Sequence, residues 1–177
     1  MTQIAHLRDA IAASQLLQDV EAADGFVIGS VRFKAAGADI HVNVDPELDD
    51  HPEMDANALI ANTQRFLAMP VERWQQLVND IVLEVEDAVE EVEDDAEVQE
   101  PTDLRDDLRL HSVAVFADAV LLSFVAPQQF PQCWVRAQLC EELALEDISI
   151  DEDDSVETLE FKSLDDMLDN LSANNDK

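Results

Sequence analysis

Between residues 71 and 92 the apolar side chains Trp74, Leu77, Val78, Ile81, Val82, Val85, Val89 and Val92 recur at helical spacing. An α-helix gathers these positions into one stripe, and a stripe this long must be buried against another apolar surface. The opposite side of the segment carries Glu84, Asp87, Glu90, Glu91, Asp94 and Asp95. The spacing therefore predicts a long amphipathic helix that restarts after Pro70, with one side for a core and one for water.

Strands are the expected partner of that helix. From Asp39 to Asp45, Ile40, Val42 and Val44 alternate with His41 and Asn43, the period of a half-buried strand. Phe26 to Lys34 is rich in β-formers, and the short Ala36-Gly37 connection predicts an antiparallel hairpin between the two runs. Leu108–Ala117 and Ala119–Val125 predict a second hairpin around Ala117-Asp118. A loop over 127–132 leads to a strand over Cys133–Leu139, and Leu145–Ile150 predicts one more.

Residues 3–22 read as one helix whose stripe shifts phase slightly at Leu16 and Leu17. Asp55 is placed to cap a helix running to about Met69, with Leu59, Ile60, Thr63, Phe66 and Leu67 inward. Residues 46–54 form an acidic loop. Ser163 and Asp166 resemble a capping box opening a short helix with Leu164, Met167, Leu168 and Leu171 inward. The expected architecture is α+β: an antiparallel sheet built from two β-rich halves with helices packed on one face. One domain spans residues 1–150, with a mobile acidic linker near 96–107, and an acidic segment with a short helix follows at 151–177.

Charge is distributed unevenly over this pattern. The 177 residues hold 41 Asp and Glu against 10 Lys and Arg, a net charge of −31. Of the acids, 31 lie in 45–55, 84–107 and 146–176, and the remainder of the chain is nearly neutral. Direct nucleic-acid binding is excluded as an expectation, because it depends on Lys and Arg displacing counterions. The confinement of the acid also argues against a salt adaptation, which would coat the whole surface. Residues 84–95 hold eight carboxylates. As a helix they span roughly 18 Å, about one charge per 2 Å, near the density of duplex DNA. A basic protein partner, or mimicry of DNA toward one, is an expectation for that face; plain solvation is the competing one.

Sites for chemistry are poorly supported. Loops starting at Asp45 and Asp151 lack the Gly and the final Glu of a calcium-binding helix–loop–helix. His41, Asp45, His51 and Glu53 lie close in sequence and form the one candidate transition-metal set. Cys133 and Cys140 fall on opposite faces of a strand, so they share no metal and read as reduced, buried thiols. Gly29-Ser30 lacks the Gly that follows a nucleophile elbow. His111, Asp118 and Ser123 share a hairpin, as ordinary polar residues do. The three glycines supply no phosphate-binding loop. No cofactor and no catalytic residue is expected. Trp74 and Trp134 both read as core or sheet-packing anchors; Trp134, opposite Cys133 and Val135, becomes a contact residue if its side of the sheet is wet.

There is no apolar run long enough to span a membrane and no basic region ahead of an apolar stretch at the N-terminus, so a cytoplasmic protein is expected. On the residues ADIHVNVD, VERWQQLVNDIV and SVAVFADAVLLSF, covering about 40–150, the chain is similar to small acidic bacterial α+β proteins grouped only as domains of unknown function. Its small, acidic character also resembles type III secretion chaperones, and that resemblance implies an α+β dimer with no catalytic residue. The expected function is non-enzymatic: a chaperone- or adaptor-like module that binds another protein, as a possible homodimer. The partner-binding candidates are Glu84, Asp87, Glu90, Glu91, Asp94, Asp95 and Trp134. A DNA-mimic or immunity-type inhibitor, and a small metal-dependent enzyme using His41, Asp45 and His51, are the alternatives.

Overall fold

The computed structural model describes residues 2–90 and 103–152. Thr2 accepts the Ala5 N–H at 3.2 Å and opens helix α1, Gln3–Ser14. The helix stops at Gln15, which takes the left-handed conformation at φ 58°, a common way to end a helix. Leu16, Leu17 and Val20 therefore do not continue it: Val20 lies in strand β1, Gln18–Ala22. The phase shift in the apolar stripe marks this change of element. Leu17 packs over Gly29, where an added Cβ would lie 2.8 Å from the Leu17 Cβ. Close approach, rather than a special dihedral, requires that glycine.

Strands β2, Val27–Phe33, and β3, Ala38–Val44, form the antiparallel hairpin. Asp55 caps helix α2, Ala56–Leu67, by accepting the Ala58 N–H at 3.1 Å. Helix α3, Val71–Glu90, follows Pro70. Residues 103–107, read from the sequence as the end of a linker, hold a short helix. Asp103 caps the short helix α4, Leu104–Asp107, and both terminal residues of α4 are buried. Strands β4, Arg109–Val115, β5, Val120–Ala126, β6, Phe130–Leu139, and β7, Leu145–Glu152, complete the described residues. β6 begins inside the expected 127–132 loop. The expected helix after Ser163 lies outside the described residues.

The strands form one seven-stranded sheet in chain order, β1 to β7. Every neighbouring pair is antiparallel except β3 and β4, which run parallel from His41 opposite Ser112 to Val44 opposite Val115. The fold is thus α+β, with two meanders joined at a parallel seam. A parallel pair cannot be closed by a tight turn, and α2, α3 and α4 occupy the connection.

Strand side chains alternate in exposure. Val42, Val113, Leu122 and Val135 are fully buried in one core with Leu7 and Ile11 of α1, Phe66 of α2 and Leu77 and Ile81 of α3. Aromatic rings stitch this core: Phe33 stacks on Phe66 at 4.8 Å and meets Trp74 edge-on at 5.1 Å, and Trp74 reaches Phe124 at 6.0 Å. Such pairs add to simple area burial. The alternate positions stay half-buried or exposed. They form rows across the sheet, one running Ser30, His41, Ser112, Ser123, Arg136, Ser149.

Side chains lock the helices to the strand ends. Asn62, 1% exposed, donates to Phe116 O at 2.8 Å and Ala119 O at 3.3 Å, and accepts from Arg65 at 2.8 Å. Arg73 donates to Leu143 O at 3.2 Å, tying the start of α3 to the β6–β7 turn. Arg105 Nε donates to Asn79 Oδ1 at 2.6 Å, tying α4 to α3.

Candidate functional site

The C-terminal half of α3 lies beside β7, and the two leave a groove of about 390 Å³ between them. Its lining follows from two periodicities. Glu84, Val85 and Ala88 share one side of α3 because positions three and four apart are neighbours on a helix. Ile148 and Ile150 share one side of β7 because side chains repeat every second residue along a strand. Both sets line the groove, with Leu145, Glu146 and Asp147. Val85 is buried, whereas Ile150 keeps 36% of its surface exposed. The lining is aliphatic apart from Glu84, Glu146 and Asp147, and alternation along β7 turns the Asp147 side chain to the opposite side of the sheet from Ile148. Residues from two of the three acidic stretches meet here.

Among the candidate partner-binding residues, Glu84 lines this groove and Asp87 is exposed on α3. Glu90 closes α3, but its side chain, with Glu91, Asp94 and Asp95, lies outside the described residues. Trp134 is on β6, half-buried, opposite in orientation to the fully buried Val135. Its ring lies 5.1 Å from that of His111, which in turn lies 6.4 Å from that of His41. This places Trp134 on the wetter side of the sheet, away from Glu84. The groove partners on β7 escaped the sequence reading because a residue's distant neighbour is set by topology. The visible signal was the Ile148–Ile150 repeat inside the acidic run beginning at Glu146.

The other candidate centres do not assemble. Among the described residues no three His, Cys, Asp or Glu side chains are grouped so as to hold a metal ion. His41, Asp45 and His51 thus make no such centre: Asp45 instead accepts the Glu47 N–H at 2.8 Å. Burial raises the Glu47 carboxyl above its usual range; nearby His51 opposes this, and the Asp118, Asp45 and Asp50 carboxylates reinforce it. Cys133 and Cys140 are free thiols, both half-buried. No helix among the described residues is long and apolar enough to cross a membrane. No family model, curated protein or solved structure matches the chain.

Proposed function

We propose that this chain is a non-enzymatic, chaperone- or adaptor-like module that binds a basic segment of another protein in the groove between α3 and β7. The observation that carries this reading is the pairing of an aliphatic lining at Val85, Leu145, Ile148 and Ile150 with the acidic residues Glu84 and Glu146. An amphipathic segment satisfies both halves of such a site: one or two apolar side chains enter the groove while flanking Lys or Arg reach the acids. The acid then serves recognition and fast encounter, and the aliphatic lining holds the bound state.

The test uses a synthetic amphipathic Leu/Lys peptide and a Lys peptide of equal charge without leucines, titrated by fluorescence anisotropy at low and high salt. The reading expects tighter binding of the amphipathic peptide. Ile150→Asp should weaken that binding by roughly tenfold, the scale of a buried methylene or two. Replacing Glu84 and Glu146 with Gln should flatten the salt dependence. Equal affinity for the two peptides, or indifference to Ile150→Asp, would leave only nonspecific attraction to a negative surface.

A further inference from the structure

We infer that the segment held at the α3–β7 groove enters as an eighth strand, its backbone paired with the outer edge of β7; this rests on the reading of the groove as a site for a basic segment. β7 ends the sheet. It pairs with β6 from Glu152 opposite Cys133 to Leu145 opposite Leu139, and no strand among the described residues lies on its other side. In an antiparallel ladder alternate residues bond to one neighbour, so the remaining N–H and C=O groups of β7 face outward. Such an edge is a template for a further strand, and folded chains commonly blunt it with bulges, lysines, proline or short length. The two edges of this sheet differ in that respect. β1 has five residues, a register shift between Gln18 and Glu21, and Asp19 at φ 51°. β7 has eight residues without proline or lysine, and its register is unbroken from Asp147 to Glu152.

The edge and the groove share side chains. Ile148 and Ile150 turn toward α3, while Asp147 and Asp151 turn to the other side of the sheet. A strand laid along β7 alternates in the same way. Every second side chain of it falls beside Ile148, Ile150 and Val85, and the others fall on the side of Asp147 and Asp151. Alternating apolar and basic residues fit both sides, and main-chain bonds to β7 add affinity that a helix in the groove cannot gain. Charge selects the occupant. Residues 80–90 and 145–152 hold nine Asp and Glu and no Lys or Arg. Arg136 engages one of them, Asp151, at 3.5 Å, which leaves the site strongly negative. A second copy would bring β7, or β1 with Asp19 and Glu21, against the same acid. Residues 153–177, which follow β7, hold eight Asp and Glu against two Lys, again the wrong sign. Complementarity therefore favours an extended, Lys- or Arg-bearing segment of another protein.

The experiment uses the full chain and Leu/Lys peptides of one composition in two patterns, strictly alternating and at helical spacing. Fluorescence anisotropy should show the alternating peptide binding roughly tenfold tighter or more, the scale of one or two hydrogen bonds. N-methylation of every second residue then removes the donors along one edge of that peptide. One of the two methylation patterns should weaken binding roughly tenfold, and the other should leave it within about twofold. Amide hydrogen exchange, read by NMR, follows β7 itself. Its amides that point away from β6 should exchange readily without peptide and become protected with it. Equal or tighter binding of the helical pattern, or the same affinity for both methylated peptides, overturns the added strand and leaves the groove reading standing. Binding of neither pattern overturns both. Protection of the outward amides before peptide is added also overturns the inference: protection that grows with protein concentration makes a second copy the occupant, and protection independent of it makes residues 153–177 the occupant.

Discussion

The Asp107 carboxylate accepts the backbone N–H of Gln129 at 2.9 Å, from a position where Asp107 is only 1% exposed. It also accepts from Gln128 N–H at 3.0 Å. The end of α4 thereby holds the β5–β6 turn. Asp107→Ala leaves two amides without this acceptor, and unfolding in urea should show a loss of about 2–3 kcal/mol, the range for charged hydrogen bonds. Asp107→Asn keeps one carbonyl oxygen and should lose less.

Asn62 performs the corresponding task for the β4–β5 turn. Its amide bridges two carbonyls that no hydroxyl or carboxylate of similar size can bridge, since only the NH2 group donates twice. Asn62→Ala should cost about 1–3 kcal/mol. Asn62→Asp should cost more, because it turns a carboxylate toward Phe116 O and Ala119 O. Thermal melts of the two variants side by side test that order.

Gly29→Ala probes the contact between β2 and the segment leading into β1. The new methyl would sit 2.8 Å from Leu17 Cβ and 3.1 Å from Gln18 O. Relief requires β1 to move, and overpacking of this kind costs about 1–3 kcal/mol. Pairing it with Leu17→Ala should recover part of the loss, a coupling that a double-mutant cycle measures.

Glu47 gives a signed pH dependence. Burial raises its carboxyl pKa in the folded state, so between the unfolded and folded values the folded chain holds more protons. Stability must then fall as pH rises through that window. Glu47→Gln removes the charged form. Its melting temperature should exceed that of the parent at neutral pH and converge with it in acid. Asp103, lowered by hydrogen bonds from the Arg105 backbone and side chain, works in the opposite sense: its contribution is present at neutral pH and fades as pH falls.

Local chemistry was readable wherever a residue's partner is near in sequence. The alternation of Ile40, Val42 and Val44, the Asp55 cap and the α3 stripe each specify an element because the period or the cap is itself the physical cause. Leu16 to Val20 misled because a stripe can run through a helix end: Gln15 in the left-handed region turns the chain, and apolar residues beyond it serve a strand instead. Leu104 and Asp107 looked like linker because their burial depends on α3 and on Gln128 and Gln129. The groove shares that difficulty. Glu84 was visible as acid on a helix, but nothing near it in sequence points to Ile150.

The parallel seam sets an order of events for self-assembly. Each meander is made of hairpins whose strands are adjacent in the chain, so each half can pair through short loops. The β3–β4 ladder instead joins residues as remote as His41 and Ser112 and must wait until the intervening helices are gathered in. Long-range pairing of this kind slows folding, because closure entropy is spent before contacts repay it. The last bonds to form should therefore be those in the middle of the sheet.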